Sequence, residues 1–472
     1  PAALAKKAPR SPLFTAHLSA TRLAPAQAGQ IVLAYRFNRV GRRLSILLQQ
    51  EQSGAWITIR NAGSSRYFKG TRRTSVEQLF GGRSLDPGSY RLLLSSGKTR
   101  ASLRFSIFAG TPLIGAQSVG AGGILTCILT GSGSVECWGA NADGELGDGG
   151  TTSSPTPVPV SGVSGATQVS SGYHDACVVL ASGTVRCWGN NSSGQLGNGT
   201  NTSSSLPIAV SGLTGVVAST SGVAHSCAVL ASGALECWGN NEVGQLGTGT
   251  VSPSVPFGAY LPVQVPGISG AVSVSAGFFH TCVLLQSGSI ECWGYNFDGQ
   301  VGDGSVTHVR PYAHPSPATV SGITNAVAIS SGYFHTCALL ADGRVSCWGY
   351  IATGELNGVL MNSPVPRLVP GIEHAIGISS GGFHTCALIE GGSVECWGQN
   401  QFGQLGDRKT VDSAKPVKVV GISNAVAIGS GAFHSCAIVA GEQVECWGRN
   451  SEGELGTGTM TTSSIPITVV RP

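Results

Sequence analysis

Charge is scarce in this chain: only 11% of its 472 residues are Asp, Glu, Lys or Arg. Methionine is nearly missing, with 2 residues, and cysteine is absent from the first 110 positions. No run of about 18 apolar residues exists, so no transmembrane helix is expected. No nucleophile elbow, P-loop, dinucleotide fingerprint or HExxH pair is present, so no catalytic residue is assigned and no cofactor is expected. What is abundant is glycine, 69 residues, about twice the ordinary share of roughly 7%. It shows no three-residue period, which excludes collagen, and its density argues against long helices. With 41% hydrophobic residues a large core is possible and wholesale disorder is excluded.

The few charges are unevenly placed. Residues 1–110 hold 18 Lys and Arg against Glu51, Glu77 and Asp86, whereas residues 111–472 hold 10 against 21 acids. A domain boundary is therefore expected near 108–114. Residues 1–30, rich in Pro, Ala and Lys, read as an extended tail or linker. Residues 31–110 show short apolar runs at 30–37, 44–50, 55–61, 85–96 and 101–108, separated by turn signals, and predict a small β-sandwich. Within it LDPGSYRLLLSS (85–96) resembles the last hairpin of immunoglobulin-like modules of bacterial surface proteins. Arg36, Arg39, Arg42, Arg43, Arg72 and Arg73 form either a solvated polar face or a docking face for an anionic polymer or acidic protein. Nucleic acid is a weaker partner, because the domain has few aromatics to stack on bases.

The remaining three quarters is a repeat. Cys-Trp-Gly recurs with Trp at 138, 188, 238, 293, 348, 397 and 447, a step of 49 to 55 residues. Each unit reads as about four short strands with turn signals and no helical period. Seven four-stranded units suit a β-propeller, so the fold expected is all-β, a seven-bladed propeller over 111–472 preceded by the small sandwich. The units SGYFHTCALLADGRVSCWG (331–349) and WGNNEVGQLGTGT (238–250) resemble the repeats of the regulator-of-chromosome-condensation family. That resemblance implies the same seven-bladed fold. It says less of function, because one fold hosts many. Unit one lacks the recurring His (GGILTC, 122–127), unit two shifts it to His174, and unit five lacks the Gly-Gln-Leu-Gly turn (353–360).

Every Cys-Trp-Gly cysteine has a partner ten residues earlier. The pairs are Cys127 with Cys137, Cys177 with Cys187, Cys227 with Cys237, Cys282 with Cys292, Cys337 with Cys347, Cys386 with Cys396, and Cys436 with Cys446. If Gln286-Ser287-Gly288 is the turn of a hairpin, Leu284 faces Ile290, Val283 faces Glu291 and Cys282 faces Cys292. Opposed thiols on antiparallel strands are within disulfide reach. A thiolate metal site would want a spacing of about two residues within each pair rather than nine. Seven disulfides place the protein outside the reducing cytosol, secreted or at a cell surface. The start at Pro1, with no apolar signal core, reads as a mature form.

The recurring histidines (His225, His280, His335, His384, His434) are expected to be structural, and the tryptophans to pack between blades. The Glu before the second Cys (Glu136, Glu236, Glu291, Glu395, Glu445) is expected to face solvent. NADGELGDGG (141–150) and NFDGQVGDG (296–304) look faintly like calcium loops but lack the ligand pattern, so they read as turns and no metal is expected. Recognition is expected in two insertions, 251–262 and 305–317, through Phe257, Tyr260, His308, Arg310, Tyr312 and His314. The reading is a non-catalytic extracellular binding or scaffold protein. One alternative is a subunit that self-associates head to tail through opposite charges. The other is an inhibitor of a secreted enzyme, which the resemblance implies through a related class of bacterial propellers that bind β-lactamase.

Overall fold

The computed structural model describes residues 111–471, apart from 255–256 and 351–361, and eight strands within the first 110 residues. The chain divides into two compact units, residues 1–111 and 112–471.

In the first unit, Phe14–Leu18, Val32–Phe37 and Gly70–Ser75 form a three-stranded sheet. Arg22–Leu23, Thr99–Ile107, Gly88–Ser96, Arg43–Gln52 and Ala55–Arg66 form, in that order, a five-stranded one. On one face of the five-stranded sheet Ile46 lies opposite Leu94 and Leu48 opposite Leu92, and all four are buried, cross-strand apolar pairs at a spacing of two. Residues 14–18 and 22–23 correct the expected tail: they pair into the sheets. The described strands establish two sheets, not the expected sandwich.

The second unit is a seven-bladed propeller. Blade 1 consists of Ala116–Ala121, Leu125–Thr130, Val135–Gly139 and Ser154–Pro159, each paired antiparallel with the next. Blades 2 to 7 repeat this over 166–209, 216–264, 271–319, 326–368, 375–418 and 425–468. The first strands touch one another around the axis and the fourth strands form the outer rim. Each second-to-third hairpin turns on a residue with left-handed backbone, such as Gly183 with φ 75°, where a side chain would be strained.

The same hairpins carry the disulfides, and all seven expected pairs form. Cys127 is bonded to Cys137, Cys177 to Cys187, Cys227 to Cys237, and Cys282 to Cys292. Cys337 is bonded to Cys347, Cys386 to Cys396, and Cys436 to Cys446. In each pair the two residues lie directly opposite, with Cα separations of 4.0–4.1 Å. Those values fit the closer, non-hydrogen-bonded kind of opposed pair. In blade 4 the register is the one the turn arithmetic predicts, with Leu284 opposite Ile290 and Val283 opposite Glu291. Each bridge closes a short loop, worth roughly 2–3 kcal/mol in the chain-entropy model.

The core lies between blades rather than within them. Trp188 of blade 2 packs with Leu125, Leu129, Val135, Leu146 and Val160 of blade 1. All seven blade tryptophans are fully buried. Every fourth strand is cut by proline (Pro157, Pro207, Pro262, Pro315, Pro364, Pro416 and Pro466 are examples). Proline removes a donor from the exposed edge, so the rim resists pairing with strands of other chains.

The ring closes without a shared strand. Ser463–Thr468 is the fourth strand of blade 7, paired to Gln443–Gly448, and does not join blade 1. Closure comes from side chains and the chain ends instead. Trp138 packs with Cys436, Ile438, Val444 and Leu455. The Leu113 N–H donates to the Val469 carbonyl at 2.8 Å. The Arg471 guanidinium donates twice to the Glu136 carboxylate, at 2.6 and 3.2 Å.

Candidate binding face

Two rings of residues build the end of the propeller where the first strands finish. The inner one is glycine: Gly122, Gly172, Gly222, Gly277, Gly332, Gly381 and Gly431, one per blade. The α-carbon of each faces the carbonyl oxygen of the next, with no room for a β-carbon, and Gly431 returns to Gly122. Hydrogen bonds run around the same circle, from the Gly123 N–H to Gly172 O, Tyr173 to Gly222 O, Gly382 to Gly431 O and Ala432 to Gly122 O. From His225 onward the ring of the blade's own histidine also presses on the glycine.

Those histidines clasp neighbouring blades. The His225 Nε2 lies 2.9 Å from the Thr281 hydroxyl, and His280, His335, His384 and His434 meet Thr336, Thr385, Ser435 and Thr126 at 2.8 Å. The Thr281 hydroxyl donates its one proton to the Gln245 carbonyl at 2.8 Å, so it accepts from histidine, and Nε2 carries the ring proton. The same Gln245 carbonyl accepts the Trp293 indole N–H. Five other indoles make the equivalent bond at 2.8–2.9 Å. Burial lowers the five histidines from 6.5 to about 4 (His225, His335) or about 3 (His280, His384, His434), which keeps them neutral. They are structural, as expected.

Unit one's missing histidine now has a reason. Leu125 stands at the His position of blade 1, and Ala176 stands at the hydroxyl position of blade 2, both buried in one apolar cluster. Both polar partners are gone together. Thr281→Ala should cost about 1–3 kcal/mol, because it strands the buried Nε2–H of His225. Adding His225→Leu should recover most of that loss by rebuilding the pairing that Leu125 makes with Ala176. Denaturant unfolding measures both, and a double variant less stable than the single one would contradict the clasp.

The outer ring is aromatic on one side only. The residue before the His position is Phe279, Phe334, Phe383 and Phe433 in blades 4 to 7, but Ile124, His174 and Ala224 in blades 1 to 3. Phe334 to Phe383 is 6.0 Å between ring centres, and Phe383 to Phe433 is 6.4 Å. Toward the axis Tyr333 touches Phe278 (5.0 Å) and Tyr173 (5.9 Å) over a pocket walled by the glycine ring and by Ser171, Ser221, Ser331, Ser380 and Ser430. The Tyr333 phenol is raised far above its usual range, first by burial and then by Tyr173. Outward, Phe334 meets Tyr295 (6.0 Å), and Tyr295 meets Tyr312 (6.0 Å). Phe297 joins Tyr312 at 5.1 Å and His308 at 5.2 Å. Phe402 extends the other side by touching Phe433 at 5.4 Å. The inner rings are half-buried and Phe297 is 39% exposed, so the face is a continuous aromatic terrace over blades 4 to 7.

The two insertions part company here. His308 and Tyr312, from 305–317, stand on the terrace, and the Arg310 guanidinium covers the Tyr312 ring at 5.5 Å. His314 is turned to the Ser316 carbonyl (2.9 Å) and to Asp303 (3.7 Å). From 251–262, Tyr260 packs on Gly194 of the blade 2 loop and its carbonyl accepts the Gly199 N–H, while Phe257 is exposed but makes no ring contact among the described residues. In the first unit the backbone register pairs Arg36 with Thr71, Tyr35 with Arg72 and Ala34 with Arg73. Arg43 lies opposite Arg66, and Arg39 and Arg42 lie outside the described residues.

Insertion length pointed to Tyr312 and His308 and missed the rest of the terrace. The signal that could have found it is the Phe before His in blades 4 to 7, a departure from symmetry between repeats. The expectation for the recurring Glu needs correcting: all five are half-buried, burial raises Glu236 and Glu291, Arg471 pairs Glu136, and the Thr468 hydroxyl donates to Glu445. The loops that looked like calcium sites are turns held by a buried asparagine. In the first, Asn141 accepts the Leu146 N–H at 2.9 Å and donates to the Thr152 carbonyl. The missing Gly-Gln-Leu-Gly turn of unit five falls in 351–361, outside the described residues.

Comparison with known proteins finds the same repeat. A profile described as the regulator of chromosome condensation (RCC1) repeat matches residues 132–179, 182–229, 232–284 and 391–438. A second RCC1-repeat profile matches 166–195, 216–245, 271–300, 326–350, 375–404 and 425–454, one stretch in each of blades 2 to 7. Among curated proteins, the chain is 39% identical over 90 residues to the regulator of chromosome condensation of Drosophila melanogaster, which is 18% of this chain and 15% of that protein. It is 37% identical over 100 residues to that of Mus musculus, 21% of this chain and 22% of that protein. It is 34% identical over 95 residues to the Danio rerio E3 ubiquitin-protein ligase MYCBP2, 20% of this chain and 2% of that protein. The chain thus spans under a quarter of the length of these relatives. Among solved structures, human WBSCR16 superposes with a TM-score of 0.60 at 23% identity, over 68% of this chain and 86% of that one. A chain from the crystal structure of Kap60 bound to yeast RCC1 (Prp20) gives 0.62 at 19%, over 76% and 85%. Similarity at that level shows the fold alone.

Proposed function

The propeller is built of RCC1 repeats, and from that premise we propose that the chain is an exported, non-catalytic binding protein that takes a protein partner on the aromatic terrace of blades 4 to 7. The observation that carries this is the terrace itself, a connected set of half-buried rings confined to one side of one end. Tyr, Phe and Arg in partly desolvated positions are the usual anchors of protein interfaces. The proline-cut rim favours contact through an end of the propeller over strand addition. The repeated histidines support a non-catalytic role, because each is neutral, buried and engaged between blades. Seven disulfides support export. In this reading the first unit closes its two sheets into an immunoglobulin-like sandwich and adds a basic docking module. Its charge, opposite to that of the propeller, also favours a second reading in which copies associate head to tail.

The test compares the full chain with Phe297→Ser/Tyr312→Ser in affinity capture from the extracellular fraction of the source organism, with sedimentation of the captured complex. A partner retained by the wild type and weakened about 30-fold or more in the variant, at equal thermal stability, is expected. Equal capture by both proteins would remove the terrace as the site. Salt-sensitive self-association with no captured partner would replace this reading with the assembly one.

A further inference from the structure

At the junctions of blades 1 with 2 and of blades 6 with 7, four positions converge next to the glycine ring. Two come from the loop of one blade: the Glu or Gln of the Gly-Gln-Leu-Gly turn and the residue two before it. Two come from the following blade: the residue before the His position and the residue after Cys-Trp-Gly. Between blades 6 and 7 they are Gln404, Phe402, Phe433 and Arg449, an aromatic and cationic set with Phe402 on Phe433 and Arg449 over the Phe433 ring. Between blades 1 and 2 they are Glu145, Asp143, His174 and Asn190. One junction of the propeller has therefore exchanged rings for an imidazole, two carboxylates and an amide.

We propose that this junction binds a divalent transition-metal ion of the Zn²⁺ type through Asp143, Glu145 and His174. One ligand atom from each of the three lies within 4.8 Å of the others. The His174 Nδ1 is 3.3 Å from Glu145 Oε1, long for a charged hydrogen bond. It matches the edge of a tetrahedral site, where metal–ligand bonds near 2.1 Å set neighbouring ligands about 3.4 Å apart. Glu145 is held in place, being 1% exposed with its Oε2 accepting the Asp143 N–H at 2.8 Å. The Asn190 amide donates to Asp143 Oδ2 at 3.0 Å, an outer contact that orients the carboxylate. Three protein donors leave a fourth position for water or for a partner's side chain.

Asp175, which follows His174, is fully buried but stands apart from this set: its Oδ1 faces Gly172, and its polar neighbour is the Ser221 hydroxyl of blade 3. Among the described residues no Lys or Arg forms an ion pair with Asp143 or Glu145. Blade 7 makes the contrast. It is the other described blade with Glu in place of Gln, and its Glu454 faces the Arg449 guanidinium at 3.7 Å. The protein supplies a fixed cation to Glu454 and only the His174 imidazole to Glu145. Softness then selects the metal: an imidazole with two carboxylates suits Zn²⁺ better than the all-oxygen sets of Ca²⁺ or Mg²⁺.

The experiment titrates Zn²⁺, Co²⁺ and Ca²⁺ into the untagged full chain after chelator dialysis, by calorimetry and by visible absorption of the Co²⁺ form. One equivalent of Zn²⁺ per chain and a tetrahedral Co²⁺ spectrum are expected. Glu145→Gln and His174→Phe install residues that other blades carry at these positions, so both should fold with unchanged melting in chelator. Each should weaken Zn²⁺ binding at least tenfold. No saturable Zn²⁺ binding, binding unchanged in both variants, or a preference for Ca²⁺ would each overturn the proposal. The site is on blades 1 and 2, so its failure leaves the terrace of blades 4 to 7 untouched.

Discussion

Gly381→Ala is expected to destabilise the propeller by about 4 kcal/mol or more, the range reserved for forced overlap in a packed interior. A β-carbon there would fall closer than 3.0 Å to the Gly431 carbonyl oxygen and to Cε1 of His384. Neither neighbour is a flexible side-chain end. The carbonyl belongs to the next blade's glycine ring, and the imidazole is locked by its bond to Ser435. The circle is closed, so a blade pushed outward at one glycine must open the ring elsewhere. The same blade supplies the control. At Gly377 a β-carbon would meet only Leu388, at an ordinary 3.5 Å. Gly377→Ala should therefore change stability by no more than about 0.5 kcal/mol. Secretion yield and denaturant midpoints measure both. Equal tolerance of the two substitutions would show that the glycine ring does not bear on stability.

Acid should unfold the propeller well before its carboxylates are neutralised. Five clasp histidines have folded values of about 3 or about 4 against 6.5 for a free ring. The unfolded chain takes up protons near pH 6.5 that the folded chain refuses. Stability is then full above pH 6.5 and falls as pH drops toward 4. Each ring contributes on the order of 3 kcal/mol across that window. Like charges add to burial at His280, which feels His335 and His225. Asp175, Glu454 and Asp298 are raised mainly by burial and act in the opposite direction, but the histidines outnumber them. Denaturant unfolding followed by emission of the buried blade tryptophans should show a net uptake of roughly three protons between pH 6.5 and 5. His225→Leu/Thr281→Ala should reduce that uptake by about one. A midpoint that stays flat from pH 7 to 5 would mean that these rings are solvated or already charged in the folded protein.

The aromatic terrace and the junction of blades 1 and 2 are two uses of the same repeat positions. Where the residue before the His position is phenylalanine, neighbouring blades present rings to solvent. Where it is His174, the same geometry presents titratable donors. A repeat protein can vary these positions freely because the glycine ring, the indoles and the disulfides behind them carry the fold.

The sequence by itself determined whatever is local. A disulfide between residues ten apart depends on one hairpin, and the Ala-Ser-Gly type of turn sets its register, so the pairing of Cys282 with Cys292 is legible from the order of residues alone. The blade count followed from the spacing of Cys-Trp-Gly. The strands of the first unit were readable from alternation, except 14–18, 22–23 and 70–75, which are ordered by partners outside their own hairpin, at 33–37, 106–107 and 32–37. Only the tertiary structure decided what is made between blades. Phe334 and Phe383, Gly381 and Gly431, and Glu145 and His174 are 29 to 50 residues apart, and no local period brings them together. Closing the ring does so, because each blade must bury its face on the next. That same burial makes the recurring glycine irreplaceable, holds the recurring histidine neutral, and gathers the odd residues of individual repeats into sites.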